Sequence, residues 1–362
     1  MTKFSKQKLI ILQTVIPDYR RNLFFYIKKK LSSSFELYGG DYYFEKSVKS
    51  DTSITFRNHI KNIYIFNRRF LFQIGMWPIV FRSNVLVIEL NPRIISNWVI
   101  LLIRKVINKK TILWGHAWPR LGSNSKTDRI RGFMRNFADI IIVYTATQRK
   151  ELQEKMPNAK ILFAPNSIYF KEEMSTHQKT GEIKNVVYVG RLTQSKKPLL
   201  LVKAFHKVIK KIPCYAQLII VGEGEEKELI INYIERNGLN NRISVLGHVS
   251  NYSSLKALYD TALFSVSPGY VGLSITQSFS FGVPMLISKD EPHSPELEAV
   301  VENENTMFFK TDNIDALSDE IIRFFEQKEE WINRRYQILE FCKNNYSIEA
   351  MAKSFIKVAL NS

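Results

Sequence analysis

The residues best suited to chemistry sit where short apolar runs end in the second half of the chain. The run NVVYV (185–189) stops at Gly190 and Arg191, and Lys196 and Lys197 follow before a helical pattern that begins near Leu199. A cationic pair five residues apart, on a glycine-started loop entering a helix N-terminus, suits a diphosphate. The helix end presents unpaired N–H groups, and arginine offers a planar fork to phosphate oxygens. Arg191 and Lys196 are the candidates, with Lys197 in reserve; a solvated basic turn has the same spacing. A second turn, Gly222, Glu223 and Gly224, follows AQLIIV (216–221). Any tight strand-to-helix turn favours glycine, so ligand contact is the weaker of its two readings. A third segment follows ALFSV (262–266): Ser267, Pro268, Gly269, Tyr270, Val271, Gly272, Leu273, Ser274, and then Gln277. Its two glycines would let backbone amides approach a ligand closely, or serve only a close-packed turn.

Something must hold these loops at one place, and the apolar pattern says what. Short β-branched runs (9–12, 85–89, 111–114, 139–143, 159–163) alternate with helical patterns such as 21–30 and 126–137. This is the rhythm of a parallel α/β sheet. It restarts after a polar stretch, 171–184, with the composition of a linker, and runs again through 185–189, 216–221, 242–246, 262–266 and 284–288. Helical periodicity fills the tail. Two Rossmann-like halves follow from this, and ligands of such sheets sit at the carboxyl ends of the strands, where the three motifs lie. At 362 residues the length also suits two domains.

Charge divides unevenly. Residues 1–170 hold 29 Lys/Arg against 10 Asp/Glu, whereas 171–362 hold 23 against 24. The basic half is expected to meet something anionic, through Lys28, Lys29, Lys30, Arg68, Arg69, Arg104, Lys105, Lys109 and Lys110, with Phe70, Phe72, Trp77 and Trp98 entering an interface shallowly. Core packing is the other fate of those aromatics. The longest apolar stretches, 70–81 and 94–103, are too short to span a bilayer, which takes about 20 residues. Lys3, Lys6 and Lys8 before an apolar run mimic a signal peptide without its cleavage site, and two cysteines suggest a reducing compartment. The expected location is the cytoplasm, on the inner face of the membrane.

The motifs VGRLTQSKKP (189–198), VGEG (221–224), VLGHVS (245–250) and SPGYVGLSITQSFSFGVPM (267–285) resemble, in this order, the C-terminal domain of the family 4 retaining glycosyltransferases. The resemblance implies a GT-B fold: α/β, two Rossmann-like domains facing across a cleft, with C-terminal helices crossing back. The domains would be 1–170 (acceptor side), a linker at 171–184, 185–345 (nucleotide-sugar side), and a helix at 346–362 packing on the first domain. It implies catalytic roles for Arg191 and Lys196 at the donor diphosphate. Gly190, Lys197, Gly222, Gly224 and the loop Gly269, Tyr270, Val271, Gly272, Leu273 and Ser274 would bind the donor. His116, in the loop after TILW, matches the histidine that faces the donor sugar; a structural loop histidine is the alternative.

Two departures from the family pattern bear on specificity. Where the family usually places two glutamates eight positions apart, this chain has Gly269 and Gln277. Gln277 can still hydrogen-bond a ribose diol, but Gly269 brings no side chain. Either the donor lacks the hydroxyl that glutamate would bind, or Tyr270 or Glu296 substitutes. At the N-terminus the family's glycine-rich loop is replaced by residues 16–21, making Tyr19 and Arg20 candidates for acceptor-side or phosphate contacts; equally, Arg20 and Arg21 open a solvated helix.

The activity implied is retaining, metal-independent transfer of a hexosyl or acetamidohexosyl group from a nucleoside-diphosphate sugar to a lipid-linked saccharide, in O-antigen, capsule or lipopolysaccharide assembly. No metal ligand set and no cofactor are expected. A soluble transferase or phosphorylase acting on free glycans, and a non-catalytic nucleotide-sugar or nucleic-acid binder, are the competing classes; no nucleic-acid module is evident.

Overall fold

A computed structural model of the chain describes residues 8–46, 48–119, 122–123, 125–177 and 183–360. Lys3, Lys6 and residues 178–182 of the expected linker lie outside them. The chain divides into two compact units: Met1–Ile168 with Ile348–Ser362, and Tyr169–Ser347.

Unit 1 contains β1 (Leu9–Gln13), α1 (Arg21–Leu31), β2 (Phe35–Gly39), β3 (Arg57–His59), β4 (Lys61–Ile65), β5 (Phe70–Ile74), α2 (Trp77–Arg82), β6 (Val85–Glu89), α3 (Ile95–Val106), β7 (Lys110–Trp114), α4 (Lys126–Arg135), β8 (Ile140–Val143), α5 (Ala146–Lys155) and β9 (Ile161–Phe163). Seven strands form a parallel sheet in the order β3-β2-β1-β6-β7-β8-β9, and β4 pairs antiparallel with β5 as a separate hairpin. Strand β8 is apolar throughout, and β1 and β6 are apolar up to their last residues, Gln13 and Glu89, because helices cover both faces of such a sheet. Helix α1 turns Leu23, Phe24, Ile27 and Leu31 inward.

Unit 2 contains β10 (Asn185–Val189), α6 (Pro198–Val208), β11 (Leu218–Val221), α7 (Lys227–Arg236), β12 (Ile243–Val245), α8 (Tyr252–Thr261), β13 (Ala262–Ser267), α9 (Ser274–Ser280), β14 (Met285–Ser288), β15 (Thr306–Phe309), α10 (Ile314–Glu326) and α11 (Lys328–Asn345). Its sheet order is β12-β11-β10-β13-β14-β15, all parallel. Counted within the unit this is 3-2-1-4-5-6, the Rossmann order, in which the strand order reverses between the first and fourth strands. The core closes through stacked Phe264 and Phe324, with ring centroids 4.2 Å apart. As far as it is described, the polar stretch expected as a linker packs on this unit: Met174 is buried, Thr176 accepts from Arg335 Nε at 3.0 Å, and Ile183 joins the core.

The last helix, α12 (Ile348–Leu360), belongs to unit 1. Phe355 sets its ring edge on Trp114 at 4.7 Å, and Ser354 donates to the Phe163 carbonyl.

Three residues expected at an anionic surface are placed otherwise. Arg104 is fully buried and donates to the carbonyls of Val80, Ser83 and Lys110 and to Thr111 Oγ1. Burial lowers its pKa to about 10, because a guanidinium away from water is harder to keep charged. Arg68 lies over the Tyr64 ring and donates to the Tyr43 and Phe44 carbonyls. Trp98 donates to Pro92 and stacks on Phe133.

The glycines of VGEG are explained by packing. Gly222 and Gly224 hold φ near 153° and 155°, and a β-carbon on either would overlap the carbonyl oxygen of Gly190 or Leu192. Gly222→Ala should therefore lower the unfolding free energy by at least about 2 kcal/mol in urea titrations. An alanine variant as stable as the parent would refute this packing.

Candidate donor site in unit 2

At the reversal point of the second sheet, the loop after β10 and the loop after β13 leave neighbouring strand ends. The first is braced from behind. Gly190 N–H donates to Val221, Leu192 N–H to Glu223, and Glu226 N–H returns to Leu192. Tyr188 Oη donates to the Arg191 carbonyl at 2.8 Å. The loop ends in a short 3-10 turn, Gln194–Lys196, and Lys197 at φ 51° starts α6 with Pro198 at its first position.

The second loop lies directly against it. Tyr270 N–H donates to the Ser195 carbonyl at 2.9 Å. A β-carbon at position 269 would sit 2.5 Å from that same oxygen. The missing family glutamate is thus a steric requirement here: only glycine lets the two backbones meet. From the other side His293 fixes the loop, accepting the Val271 N–H at Nδ1 (3.1 Å) and donating Nε2–H to the Ser288 carbonyl (2.7 Å). Both ring nitrogens are committed in the neutral tautomer. Burial first, with nearby Lys196 adding to it, lowers the His293 pKa in the same sense.

Lys196 is half-buried with its ammonium 4.6 Å from the Tyr270 ring centroid. Burial lowers its pKa to about 8, the Arg191 charge pushes the same way, and Glu296 opposes them. Arg191 itself is exposed. Neither Lys197, the N-cap of α6, nor Leu273, the N-cap of α9, caps its helix with a side chain. The result is two cations and two uncapped helix starts at the ends of adjacent strands, an arrangement that favours a multiply charged anion.

The structure thus brings together Gly190, Arg191, Lys196, Gly269, Tyr270, Val271, Gly272, Leu273 and Ser274. Other expected residues do different work. Lys197 is held by Glu291 and Asp312, the latter at 2.6 Å. Gly222 and Gly224 wedge the first loop. Gln277 donates to the Tyr169 hydroxyl at 3.3 Å. Glu296, buried, accepts from Ser294 beside the second loop.

His116, Tyr19 and Arg20 belong to unit 1. His116 is exposed, its ring 4.6 Å from Tyr144 and its carbonyl accepting from Arg131. Tyr19 is exposed. Arg20 is the N-cap of α1, but its side chain is engaged by the protein: its guanidinium lies 4.3 Å from the Trp114 ring centroid and donates to Gln13 (2.7 Å) and Tyr144 (2.8 Å). Glu89 accepts the Thr14 N–H, and burial holds its carboxyl above the usual range although that bond and Arg20 pull it down. Aromatic faces, an amide, a phenol and a carboxyl can all pair with hydroxyl groups, and the Arg20 guanidinium is already bonded to the amide and the phenol. Sequence reasoning missed Gln13, Glu89, Trp114, Tyr144 and His293. Four of these stand at strand ends (Gln13, Glu89, Trp114) or just past one (Tyr144), the position that marks such sites; His293 carried no local signal.

With this geometry in view, residues 170–338 match the family model described as Glycosyl transferases group 1. The chain is 28% identical over 209 residues to an uncharacterized glycosyltransferase of Methanocaldococcus jannaschii, covering 52% of this chain and 51% of that one. It is 28% identical over 195 residues to the Escherichia coli O-antigen biosynthesis glycosyltransferase WbnH, covering 52% and 54%. A third relative is the Campylobacter jejuni GalNAc-alpha-(1->4)-GalNAc-alpha-(1->3)-diNAcBac-PP-undecaprenol alpha-1,4-N-acetyl-D-galactosaminyltransferase, 25% identical, covering 35% and 33%. The chain thus spans about half the length of the first curated relatives it matches. Among solved structures, Anabaena HepE in complex with UDP superposes with a TM-score of 0.70 at 13% identity, covering 98% of this chain and 100% of that one. That likeness establishes the fold, two Rossmann-like parallel sheets of the GT-B type.

Because the glycine at 269 is dictated by the neighbouring backbone, Gly269→Ala and Gly269→Glu should both lose about 2 kcal/mol of unfolding free energy or more. Urea midpoints equal to the parent's, particularly for the glutamate variant, would show that the loops have room for a side chain.

Proposed function

We propose that this chain is a retaining, metal-independent glycosyltransferase of the family 4 type, moving a sugar from a nucleoside diphosphate to a lipid-linked saccharide in surface-polysaccharide assembly. One observation carries the reading: the Arg191–Lys196 loop and the Gly269–Leu273 loop meet at the reversal point of a Rossmann sheet, inside the segment that matches the group 1 model. The UDP in the HepE structure, the undecaprenol-linked saccharide in the Campylobacter enzyme's name and the O-antigen role of WbnH support the donor and acceptor classes.

Cleavage of the glycosyl-phosphate bond builds charge on the departing β-phosphate. Arg191 offers it a planar fork, Lys196 a compact charge, and the start of α6 its uncapped amides. These groups supply the counter-charge that a divalent ion brings elsewhere. The backbone of residues 269–274 lies against the diphosphate and sugar, and Glu296 or Tyr270 replaces the side chain that Gly269 lacks. The acceptor hydroxyl attacks on the face the diphosphate leaves, with a phosphate oxygen taking its proton, so no dedicated carboxylate base is required. His116 is assigned to the donor sugar by the family resemblance, and Tyr19 and Arg20, in the segment that replaces the family's glycine-rich loop, are placed on the acceptor side.

Incubating the protein and bacterial membranes with a panel of labelled nucleotide sugars should carry one label into the lipid fraction, and Lys196→Ala should reduce that transfer by roughly 100-fold or more. Label that never leaves the aqueous fraction, or a variant with parental turnover, would sink the proposal. A pH profile gives a separate check. The Lys196 amine is charged below its lowered pKa of about 8 and loses that charge as pH rises through it. Donor kcat/KM should therefore fall above about pH 8 in the parent, and Lys196→Arg, whose guanidinium stays charged, should abolish that alkaline limb. An identical limb in the variant would assign it to another group.

A further inference from the structure

The hairpin of β4 and β5 has two unlike faces. Strand alternation sends Leu71 and Gln73 inward, where they are 0% and 1% exposed. On the opposite face the register pairs Ile63 with Phe72, Ile65 with Phe70, and Lys61 with Ile74. Phe70 is 40% exposed, and Phe66, in the turn between the strands, 73%. That turn holds Phe66, Asn67 and Arg68 at φ of 50°, 51° and 63°, so a large apolar residue occupies a left-handed position that small polar residues usually take. Phe72 packs on Trp77 with centroids 5.9 Å apart, and one helical turn beyond it Phe81 is 53% exposed. The apolar face thus continues from the hairpin onto α2.

Charge says what this face fits. From Thr52 through Ile88 the chain has no acidic residue and five cations. Arg57 pairs with Asp41, Arg82 with Glu36, and Arg68 is spent on carbonyls, while Lys61 and Arg69 are exposed on the hairpin itself. Contiguous exposed aromatic surface of this kind marks an interaction site. A second copy of the chain would set the same cations against each other, with no acidic residue between Thr52 and Ile88 to pair them. An acidic lipid surface supplies both apolar depth and counter-charge.

We propose that the β4–β5 hairpin and α2 form a membrane-docking face, inserting Phe66, Phe70 and Phe81 shallowly into an anionic lipid interface with Lys61 and Arg69 among the head groups. This goes beyond the transfer reading and does not depend on it. The full chain should sediment with phosphatidylcholine vesicles containing about one-third phosphatidylglycerol, and not with phosphatidylcholine alone. The double variant Phe66→Ser/Phe70→Ser should lose at least about tenfold in partitioning. Leu102→Ser, at an exposed apolar site on α3, should bind as the parent does, and Lys61→Gln/Arg69→Gln should weaken binding while leaving the apolar face intact. A parent that stays in the supernatant, a double phenylalanine variant that sediments normally, or a Leu102 variant that loses as much would overturn the assignment. So would a parent dimer that the phenylalanine variant dissociates without any change in vesicle binding.

Discussion

The candidate site rests on one backbone contact, the Tyr270 N–H donating to the Ser195 carbonyl, which exists because position 269 has no β-carbon. Loops from two neighbouring strands would otherwise move separately. Joined there, wedged by Gly222 and Gly224 behind and held by His293 beyond, they become one rigid surface. Rigidity has chemical value, since groups already aimed at a developing charge need not reorganise when it forms.

The same closeness sets the electrostatics. Lys196 sits beside Arg191 and partly out of water, and both effects weaken its hold on a proton. An anion beside the two cations would offset that disfavour. Unit 1 repeats the topology with different contents. There the cation is stacked on Trp114 and bonded to a phenol and an amide, and the nearby Glu89 carboxyl resists ionising.

Net charge proved a coarse guide to surfaces. Arg104 and Arg135 in unit 1 are buried, the first among carbonyls and the second against Asp128 and the Ala117 carbonyl. Arginine serves such roles because five donors in a plane can satisfy several backbone acceptors at once. A tally of basic residues counts these together with Lys61 and Arg69, which do face water.

Much of the architecture was readable in the chain itself. Apolar runs at 85–89 and 185–189 coincide with β6 and β10, and the parallel rhythm foretold two sheets, because a strand buried on both faces must be apolar throughout. The loops after β10 and β13 were legible as well, through glycine and cationic residues placed at strand ends. Less visible were β2, the β4–β5 hairpin and β15, whose short mixed segments (FELYG, KNIYI, TMFF) take their conformation from the neighbours they pair with. What tertiary structure alone decided was which residues share a place. His293 is 22 residues from Val271, and Lys197 is brought to Glu291 and Asp312 rather than to its neighbour Lys196. Local pattern records burial and turn chemistry residue by residue, whereas such partnerships arise only when separate crossovers end side by side.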